Sequence, residues 1–138
     1  MNGNDILSAP LTVNWSLSYR CNFTCRHCYS RTLDTPALPP ERMRDVVELL
    51  ADKGVVFVNF GGGEPLLVGE LFDITAFAAS RGIKVTMNSN GWLLDRAVSG
   101  RIRAAGFESV GISIDSPDAR VHDRFRNMEG SFARAVSA

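Results

Sequence analysis

Several features that mark membrane, nucleic-acid-binding and disulfide-rich proteins are missing from this 138-residue sequence. No stretch approaches the roughly 20 apolar residues that a membrane-spanning helix needs. Lys and Arg together number 15, as do Asp and Glu, and no long run of like charge marks a surface for nucleic acid or anionic lipid. The first ten residues lack the basic start and apolar core of a secretory signal. These absences predict a cytoplasmic protein that acts on a peptide or small molecule, with no nucleic-acid or membrane partner.

Cysteine is scarce, and the three copies lie close together. Cys21, Cys25 and Cys28 have the spacing Cys-x3-Cys-x2-Cys, which suits a metal or cluster better than a disulfide framework. Thiolates are the usual ligands of iron–sulfur clusters, and three of them leave one iron of a [4Fe-4S] cube open for a substrate or cofactor. Two alternatives stay open, namely a zinc site completed by His27 and a set of buried structural thiols. His27 directly precedes Cys28, so both side chains reach one tetrahedral ion only with strain.

The apolar residues predict alternating strands and helices. Four β-branched segments, 13–18, 55–60, 83–88 and 110–115, are typical of strands. Each of the three intervening segments has one apolar face, which indicates helices whose apolar residues are Met43, Val46, Val47 and Leu50, then Leu71, Ile74, Phe77 and Ala78, then Leu94, Ala97, Val98 and Ile102. A glycine after each helix, Gly54, Gly82 and Gly106, marks its end. A further short helix over 118–127 and another with Ser131 as its N-cap are expected.

This order predicts an α/β fold with a parallel sheet, either open or closed into a barrel. Alternate positions of three predicted strands are polar, whereas a parallel strand covered on both faces is apolar throughout. One face of the sheet is therefore expected to line a solvated cavity, with strands exposed at a sheet edge as the alternative. The polar positions are Asn14, Ser16, Ser18, Thr86, Asn88, Gly111, Ser113 and Asp115.

Unusual segments follow all four predicted strands, at the sheet edge where α/β proteins bind ligands. They are the cysteine segment, the run 61–65 (GGGEP), the Asn90–Gly91 pair, and the strand end with Ser113 and Asp115. Each also has a simpler explanation. The glycines suit a tight turn, Glu64 a solvated loop, Asn-Gly a turn pair, and Asp115 the cap of the next helix. Their shared position on one rim favours a binding site.

These motifs together resemble the radical S-adenosylmethionine superfamily. CNFTCRHC matches its CxxxCxxC signature, and GGEP, an Asn-Gly loop and an SxD strand end follow in the family's order. The resemblance implies a partial (β/α)6 barrel in which the three cysteines bind a [4Fe-4S] cluster and S-adenosylmethionine chelates the fourth iron. It also implies cofactor contacts from the backbone at His27 and from Gly62, Gly63, Glu64, Pro65, Asn88, Asn90, Ser113 and Asp115. Gly61 stands where relatives often have Ser or Thr.

The implied activity is reductive cleavage of S-adenosylmethionine to a 5′-deoxyadenosyl radical, with an electron donor such as flavodoxin or ferredoxin. The strings SLSYRCNFTCRHCYSR, FGGGEPLL and HDRFR are similar to the branch that modifies peptides and often carries a cysteine-rich SPASM extension. That extension and the last two barrel strands are absent, so residues 1–138 are expected to be the N-terminal part of a core domain of about four βα units. A peptide or a cofactor precursor, such as a haem precursor, is the expected substrate. A non-catalytic iron–sulfur or zinc module that serves as a partner protein is the alternative.

Overall fold

The computed structural model describes residues 9–30, 33, 35 and 37–138. They form one parallel sheet with the strand order β1-β2-β3-β4, and helices connect successive strands. The sheet is open, because β1 and β4 do not pair with each other. The elements in chain order are β1 (Thr12–Ser18), α1 (Pro40–Asp52), β2 (Phe57–Gly62), a 3₁₀ turn (Pro65–Leu67), α2 (Leu71–Ser80), β3 (Lys84–Ser89), α3 (Arg96–Ala105), β4 (Phe107–Ile112), α4 (Ala119–Arg126) and α5 (Ser131–Ser137).

Local sequence signals explain where the helices begin and end. Pro40 occupies the first turn of α1, where its missing N–H leaves no intrahelical bond unmade. Asp95 caps α3, since its side chain accepts a 2.8 Å hydrogen bond from the backbone N–H of Val98. Gly106 ends α3 in the left-handed conformation, with φ at +87°. The predicted rhythm of helix, glycine and strand is therefore confirmed.

The core lies between the helices and one face of the sheet. Phe60 and Val85 from the central strands are fully buried against Met43 of α1 and Leu71 of α2. Burying an apolar side chain of this size stabilises the fold by about 1.5–3 kcal/mol. The polar alternates Asn14, Ser16, Asn88 and Ser113 instead line a cavity.

Some predicted boundaries were wrong. The fourth strand is Phe107–Ile112 rather than 110–115, because Phe107 directly after Gly106 already pairs with Val85 of β3. The second strand runs through Gly61 and Gly62, which pair with β1 instead of forming a separate turn. Leu94 lies outside the third helix, which begins at Arg96.

The predicted N-cap of the last helix was also wrong. Ser131 is the first residue of α5, and Gly130, with φ at +78°, occupies the N-cap position. Asp123 of α4 caps this helix from outside, since it accepts hydrogen bonds from the backbone N–H groups of Gly130 and Phe132. The hydroxyl of Ser131 donates to the same carboxylate. A carboxylate distant in sequence therefore replaces the expected local cap.

Candidate functional site

A cavity of about 480 Å³ lies on the polar face of the sheet. Its lining includes all three cysteines and the polar strand residues Asn14, Ser16, Asn88 and Ser113. The prediction that alternating polar positions face a cavity is therefore confirmed for these four residues. Ser18 is buried at the end of β1, and Thr86 is half-buried and donates a 2.9 Å hydrogen bond to Asn59.

The cysteine loop, residues 19–30, follows β1 without regular secondary structure. Cys25 is buried, Cys28 is half-buried and Cys21 is exposed, and all three are free thiols. The backbone N–H of Cys28 donates to the carbonyl of Cys25 at 3.3 Å, which turns the loop back on itself. Phe23 is buried edge-on against Trp92, with ring centroids 5.6 Å apart. This aromatic contact anchors the loop, and its thiols line one cavity.

The thiols influence one another electrostatically. Although the Cys21 side chain reaches the surface, desolvation by the surrounding protein raises the pKa of its thiol, and the negative charges of Glu64 and Cys28 add to the rise. Burial also raises the pKa of the Cys25 thiol, while the Arg126 guanidinium opposes that rise. Three thiolates in one cavity repel one another unless a cationic group binds them, which is the charge environment that an iron–sulfur cluster neutralises.

The donor set fits a cluster better than a single zinc ion. Zinc needs four ligands at about 2.0–2.3 Å from one point. Among residues 9–30, 33, 35 and 37–138, no group of three His, Cys, Asp or Glu side chains is arranged around a single ion. Cys21, Cys25 and Cys28 nevertheless share one cavity wall, as ligands of different irons in one cluster do.

The glycine run packs directly against the end of β1. The backbone N–H of Gly63 donates to the carbonyl of Ser18 at 2.8 Å, and that of Glu64 donates to the carbonyl of Arg20 at 2.9 Å. A Cβ atom at Gly62 would overlap the Ser18 carbonyl oxygen, and one at Gly63 would overlap the Arg20 carbonyl oxygen. Both positions therefore require glycine because of close backbone approach. Both also line the cavity, so their main chain is available to a ligand.

Glu64 and Pro65 are buried and are not among the residues that line the cavity. The Glu64 side chain is only 1% exposed, and its carboxylate accepts hydrogen bonds from the Ser89 hydroxyl and the backbone N–H groups of Asn90 and Leu66. Burial raises the pKa of this carboxyl group, and the three hydrogen bonds oppose the rise. Pro65 is buried at the start of the 3₁₀ turn. The expected cofactor contacts of both residues stay predictions.

Asn90 joins the loop after β3 to the cysteine loop. Its side-chain amide donates to Asn22 Oδ1 at 2.8 Å, and its nitrogen lies 3.9 Å from Cys21 Sγ. Its Oδ1 accepts a 2.9 Å hydrogen bond from the backbone N–H of Trp92, which is the turn contact expected for Asn-Gly. Asn88, two residues earlier on β3, also lines the cavity, with its Oδ1 close to Gly111. Both predicted asparagines therefore line the cavity that the cysteines line, and Asn90 also lies next to Cys21.

The end of β4 separates its two predicted site residues. Ser113 lines the cavity, and its backbone N–H donates to the Ser89 carbonyl at 3.0 Å. Asp115 instead accepts two hydrogen bonds from Arg126, at 2.6 Å from Nε and 3.1 Å from Nη2. His27 lines the cavity with its Nε2 3.8 Å from Asp115 Oδ1. Asp115 does not cap α4 either, because Asp118 does so by accepting from Arg120 and Val121.

Sequence reasoning missed several of the residues that line the cavity, among them Asn59, Trp15 and Arg126. Asn59 accepts from Thr86 and donates to Asn14 at 3.1 Å, so it links two neighbouring strands. Its polar character inside an apolar strand segment was a usable signal. Trp15 and Arg126 had no such signal, since Trp15 alternates with polar residues in the manner of a core position and Arg126 depends on the docking of α4. No helix among the described residues is long and apolar enough to cross a membrane.

The comparisons with known proteins identify the class. The Radical SAM superfamily model matches residues 15–138. An AdoMet-dependent heme synthase of Methanosarcina barkeri is 33% identical over 133 residues, which are 94% of this chain and 38% of that protein. The mycofactocin maturase MftC of Mycolicibacterium smegmatis is 33% identical over 134 residues, 96% of this chain and 34% of the maturase.

A solved structure shows the same fold. SuiB of Streptococcus suis, in its crystal structure with the precursor peptide SuiA, superimposes with a TM-score of 0.81 at 22% identity, over 96% of this chain and 30% of SuiB. The chain belongs to the radical S-adenosylmethionine superfamily, as the sequence motifs indicated. It spans little more than a third of the length of the curated relatives described above.

Proposed function

We propose that this chain is the cofactor-binding part of an enzyme that uses S-adenosylmethionine and a [4Fe-4S] cluster to modify a peptide or a cofactor precursor. One observation carries the proposal: three free thiols and the main chain of a glycine run line one cavity at the carboxyl end of a parallel sheet. In that arrangement the cluster and S-adenosylmethionine supply one-electron cleavage to a 5′-deoxyadenosyl radical that abstracts hydrogen. A flavodoxin or ferredoxin is the proposed electron donor, in the cytoplasm.

The chain's own residues bind and orient these groups. We assign Cys21, Cys25 and Cys28 to three of the four irons. We assign the cofactor's amino group to the main chain at Gly62 and Gly63, since these residues line the cavity. Glu64 and Pro65 support that role by fixing the same loop, because both are buried beneath it.

The remaining cofactor contacts are proposed for other residues in and around the cavity. Ser113 and Asn88 face the cavity and are suited to bind ribose hydroxyl groups. Asn90 holds the cysteine loop in place, and the backbone at His27 is assigned to the adenine. Asp115 has both carboxylate oxygens occupied by Arg126, so its contact with a ribose requires sharing an oxygen with that guanidinium.

A peptide is the substrate that the cavity supports best. Asn14, Asn59 and Asn88 present neutral carboxamide groups to it, and a carboxamide both donates and accepts hydrogen bonds, as a peptide group does. SuiB, which shares this fold, has been crystallised with its precursor peptide. Because one relative is an AdoMet-dependent heme synthase, a cofactor precursor is the second substrate class that we propose.

The test is anaerobic reconstitution with iron and sulfide, followed by EPR of the reduced protein with and without S-adenosylmethionine. We expect a [4Fe-4S] signal that changes when the cofactor is added, and 5′-deoxyadenosine as a product. Cys25→Ala should lose both, whereas Ser99→Ala, an exposed substitution on α3, should lose neither. A wild-type cluster that ignores the cofactor, or no cluster at all, would overturn the proposal in favour of a non-catalytic binding module.

A further inference from the structure

The end of α4 is docked on the cysteine loop. The backbone N–H of Arg26 donates to the Phe125 carbonyl at 2.9 Å. The side-chain amide of Asn127 donates to Thr24 Oγ1 at 2.8 Å, and Asn127 ends α4 with φ at +51°. The rings of His27 and Phe125 are 5.9 Å apart. The cysteine loop and the last turn of α4 are therefore packed against each other.

This docking brings Arg126 into the cavity. Arg126 is only 9% exposed, and it lines the same cavity as Cys21, Cys25 and Cys28. Both hydrogen bonds of its guanidinium group go to the carboxylate of Asp115, and such a bidentate pair fixes the orientation of the charge. The guanidinium is therefore a fixed cation beside the three thiols.

Two further groups respond to this cation. Burial raises the pKa of the Cys25 thiol and of the Glu64 carboxyl group, and the charge of Arg126 opposes both rises. His122 is buried, and its Nδ1 accepts a 3.2 Å hydrogen bond from the backbone N–H of Asp115. That bond fixes the backbone of Asp115, whose carboxylate binds Arg126. The position of the charge thus depends on several contacts.

We propose that Arg126, held by Asp115, raises the reduction potential of the cluster that Cys21, Cys25 and Cys28 carry. The inference rests on the proposed function, because it requires that cluster. Reduction adds one negative charge, and a fixed cation in a partly desolvated cavity stabilises the reduced form more than the oxidised one. Net charge around the sulfurs is one of the factors that set iron–sulfur potentials. Arg126 is in this sense a positioning and tuning residue, and Asp115 fixes it while offsetting part of its charge.

A charge effect and a purely structural effect make different predictions. If charge is the cause, Arg126→Gln and Asp115→Asn shift the potential in opposite directions, because one removes a cation and the other an anion. Asparagine keeps one acceptor oxygen for the guanidinium, so Arg126 stays near the cluster in that variant. If the pair only holds the loop in shape, the two substitutions loosen the same contact and shift the potential in the same direction.

The experiment is an EPR-monitored redox titration of the reconstituted holoprotein without S-adenosylmethionine, so that expected ribose contacts of Asp115 do not enter. At a fixed potential, Arg126→Gln should lower the ratio of reduced to oxidised cluster on the order of tenfold. Asp115→Asn should raise that ratio, and Arg126→Lys, which keeps the charge, should stay close to wild type. Arg124→Gln, exposed on the same helix, is the matched control and should change nothing.

The outcomes separate this inference from the proposed function. A wild-type protein that forms no [4Fe-4S] cluster overturns both. A cluster that responds to S-adenosylmethionine but has the same potential in Arg126→Gln overturns the inference alone, as does a shift of the same sign in Arg126→Gln and Asp115→Asn. Iron and sulfide content measured in each variant shows that the compared signals come from equally loaded protein. If Arg126→Gln does not fold, Asp115→Asn still decides. It removes the same anion in the wild-type and in the Arg126→Lys background, so it should raise the ratio of reduced to oxidised cluster in both, and a fall in either background contradicts the inference.

Discussion

Glu64 Oε2 accepts a 2.9 Å hydrogen bond from the backbone N–H of Asn90, which joins the loop after β2 to the loop after β3. The other carboxylate oxygen accepts a hydrogen bond from the hydroxyl of Ser89, the last residue of β3. The backbone N–H groups of Gly63 and Glu64 donate in the other direction, to the end of β1 and the start of the cysteine loop. The glycine loop is therefore bonded to both of its neighbours, and it fixes the spacing of the three loops around the cavity.

Glu64→Gln should destabilise the protein by about 2 kcal/mol, because an amide nitrogen replaces one acceptor and leaves a buried donor without a partner. Three donors converge on the native carboxylate, from Ser89, Asn90 and Leu66. Urea unfolding followed by circular dichroism measures the change. The exposed Glu129→Gln is the control and should stay within about 0.5 kcal/mol of wild type. Equal stability of the two variants would contradict the role of this carboxylate.

The pH dependence of stability gives a second test of Glu64. Burial raises the pKa of its carboxyl group above the ordinary 4.5, so the folded protein binds the proton more tightly than the unfolded chain. The stabilisation from this group is then fully present below pH 4.5 and is lost as the pH rises through the folded-state pKa. Unfolding free energies measured across this range should fall with pH more steeply in wild type than in Glu64→Gln. Parallel curves would show that this carboxyl group does not titrate as expected.

Gly63→Ala should destabilise the protein by about 3 kcal/mol, because a methyl group there overlaps the backbone of Arg20 and forces the glycine loop away from the start of the cysteine loop. Gly61→Ala is the matched comparison two residues earlier. A Cβ atom at Gly61 meets nothing within 4 Å, so we expect a change of no more than about 0.5 kcal/mol. Thermal unfolding of both variants measures the difference. A Gly63→Ala variant as stable as Gly61→Ala would mean that the glycine loop moves away from the Arg20 backbone at no cost in stability.

The cysteines and the glycine loop were predictable because their positions follow directly from strand order. Parallel strands bring their carboxyl ends to one edge, so Cys21, Gly62 and Asn90 had to lie near one another once the strands were identified. The family resemblance was confirmed by the match over residues 15–138. A Cβ atom at Gly61 would meet nothing within 4 Å, so the fold leaves room for a larger residue at that position.

Other parts of the site could not be read from the sequence, because they depend on tertiary contacts. Asp115 was expected to face a ribose or to cap a helix, and its partner Arg126 reaches it only after α4 folds back over the end of β4. The cap of α5 comes from Asp123, one helix earlier, and not from Ser131. Sequence spacing identifies which residues share a sheet edge, whereas it does not determine which side chains pair across it.

Asp123→Asn should destabilise the protein by about 1 kcal/mol near neutral pH, as the loss of a good helix cap does. The carboxylate accepts three hydrogen bonds from Gly130, Ser131 and Phe132, and the bond from Phe132 is the main cause that lowers its pKa below 3.8. Its stabilisation is therefore present above that value and is lost as the pH falls through the folded-state pKa.

The difference in unfolding free energy between wild type and Asp123→Asn should accordingly shrink as the pH falls below 3.8. Denaturant titrations at several acidic pH values measure it. Asp52→Asn, at an exposed position of α1, serves as the control and should show no such convergence. A constant gap down to the acid-unfolding limit would mean that hydrogen bonding, and not charge, accounts for the cap.

The contact between Asn127 and Thr24 should contribute to holding the cysteine loop. Asn127→Gly removes the amide while still permitting the positive φ of +51° at the end of α4. Thr24→Val removes the accepting hydroxyl with little change of shape. Because the 2.8 Å hydrogen bond is exposed, we expect a coupling free energy of about 0.5–1 kcal/mol in a double-mutant cycle measured by urea unfolding.

Iron release from the same four proteins, loaded with iron and sulfide, gives a second measurement. Either single variant should release iron to a chelator faster than wild type, and the double variant should be no faster than the faster single variant. Additive effects on both measurements would show that the two side chains act independently and that the backbone bond between Arg26 and Phe125 alone joins α4 to the loop.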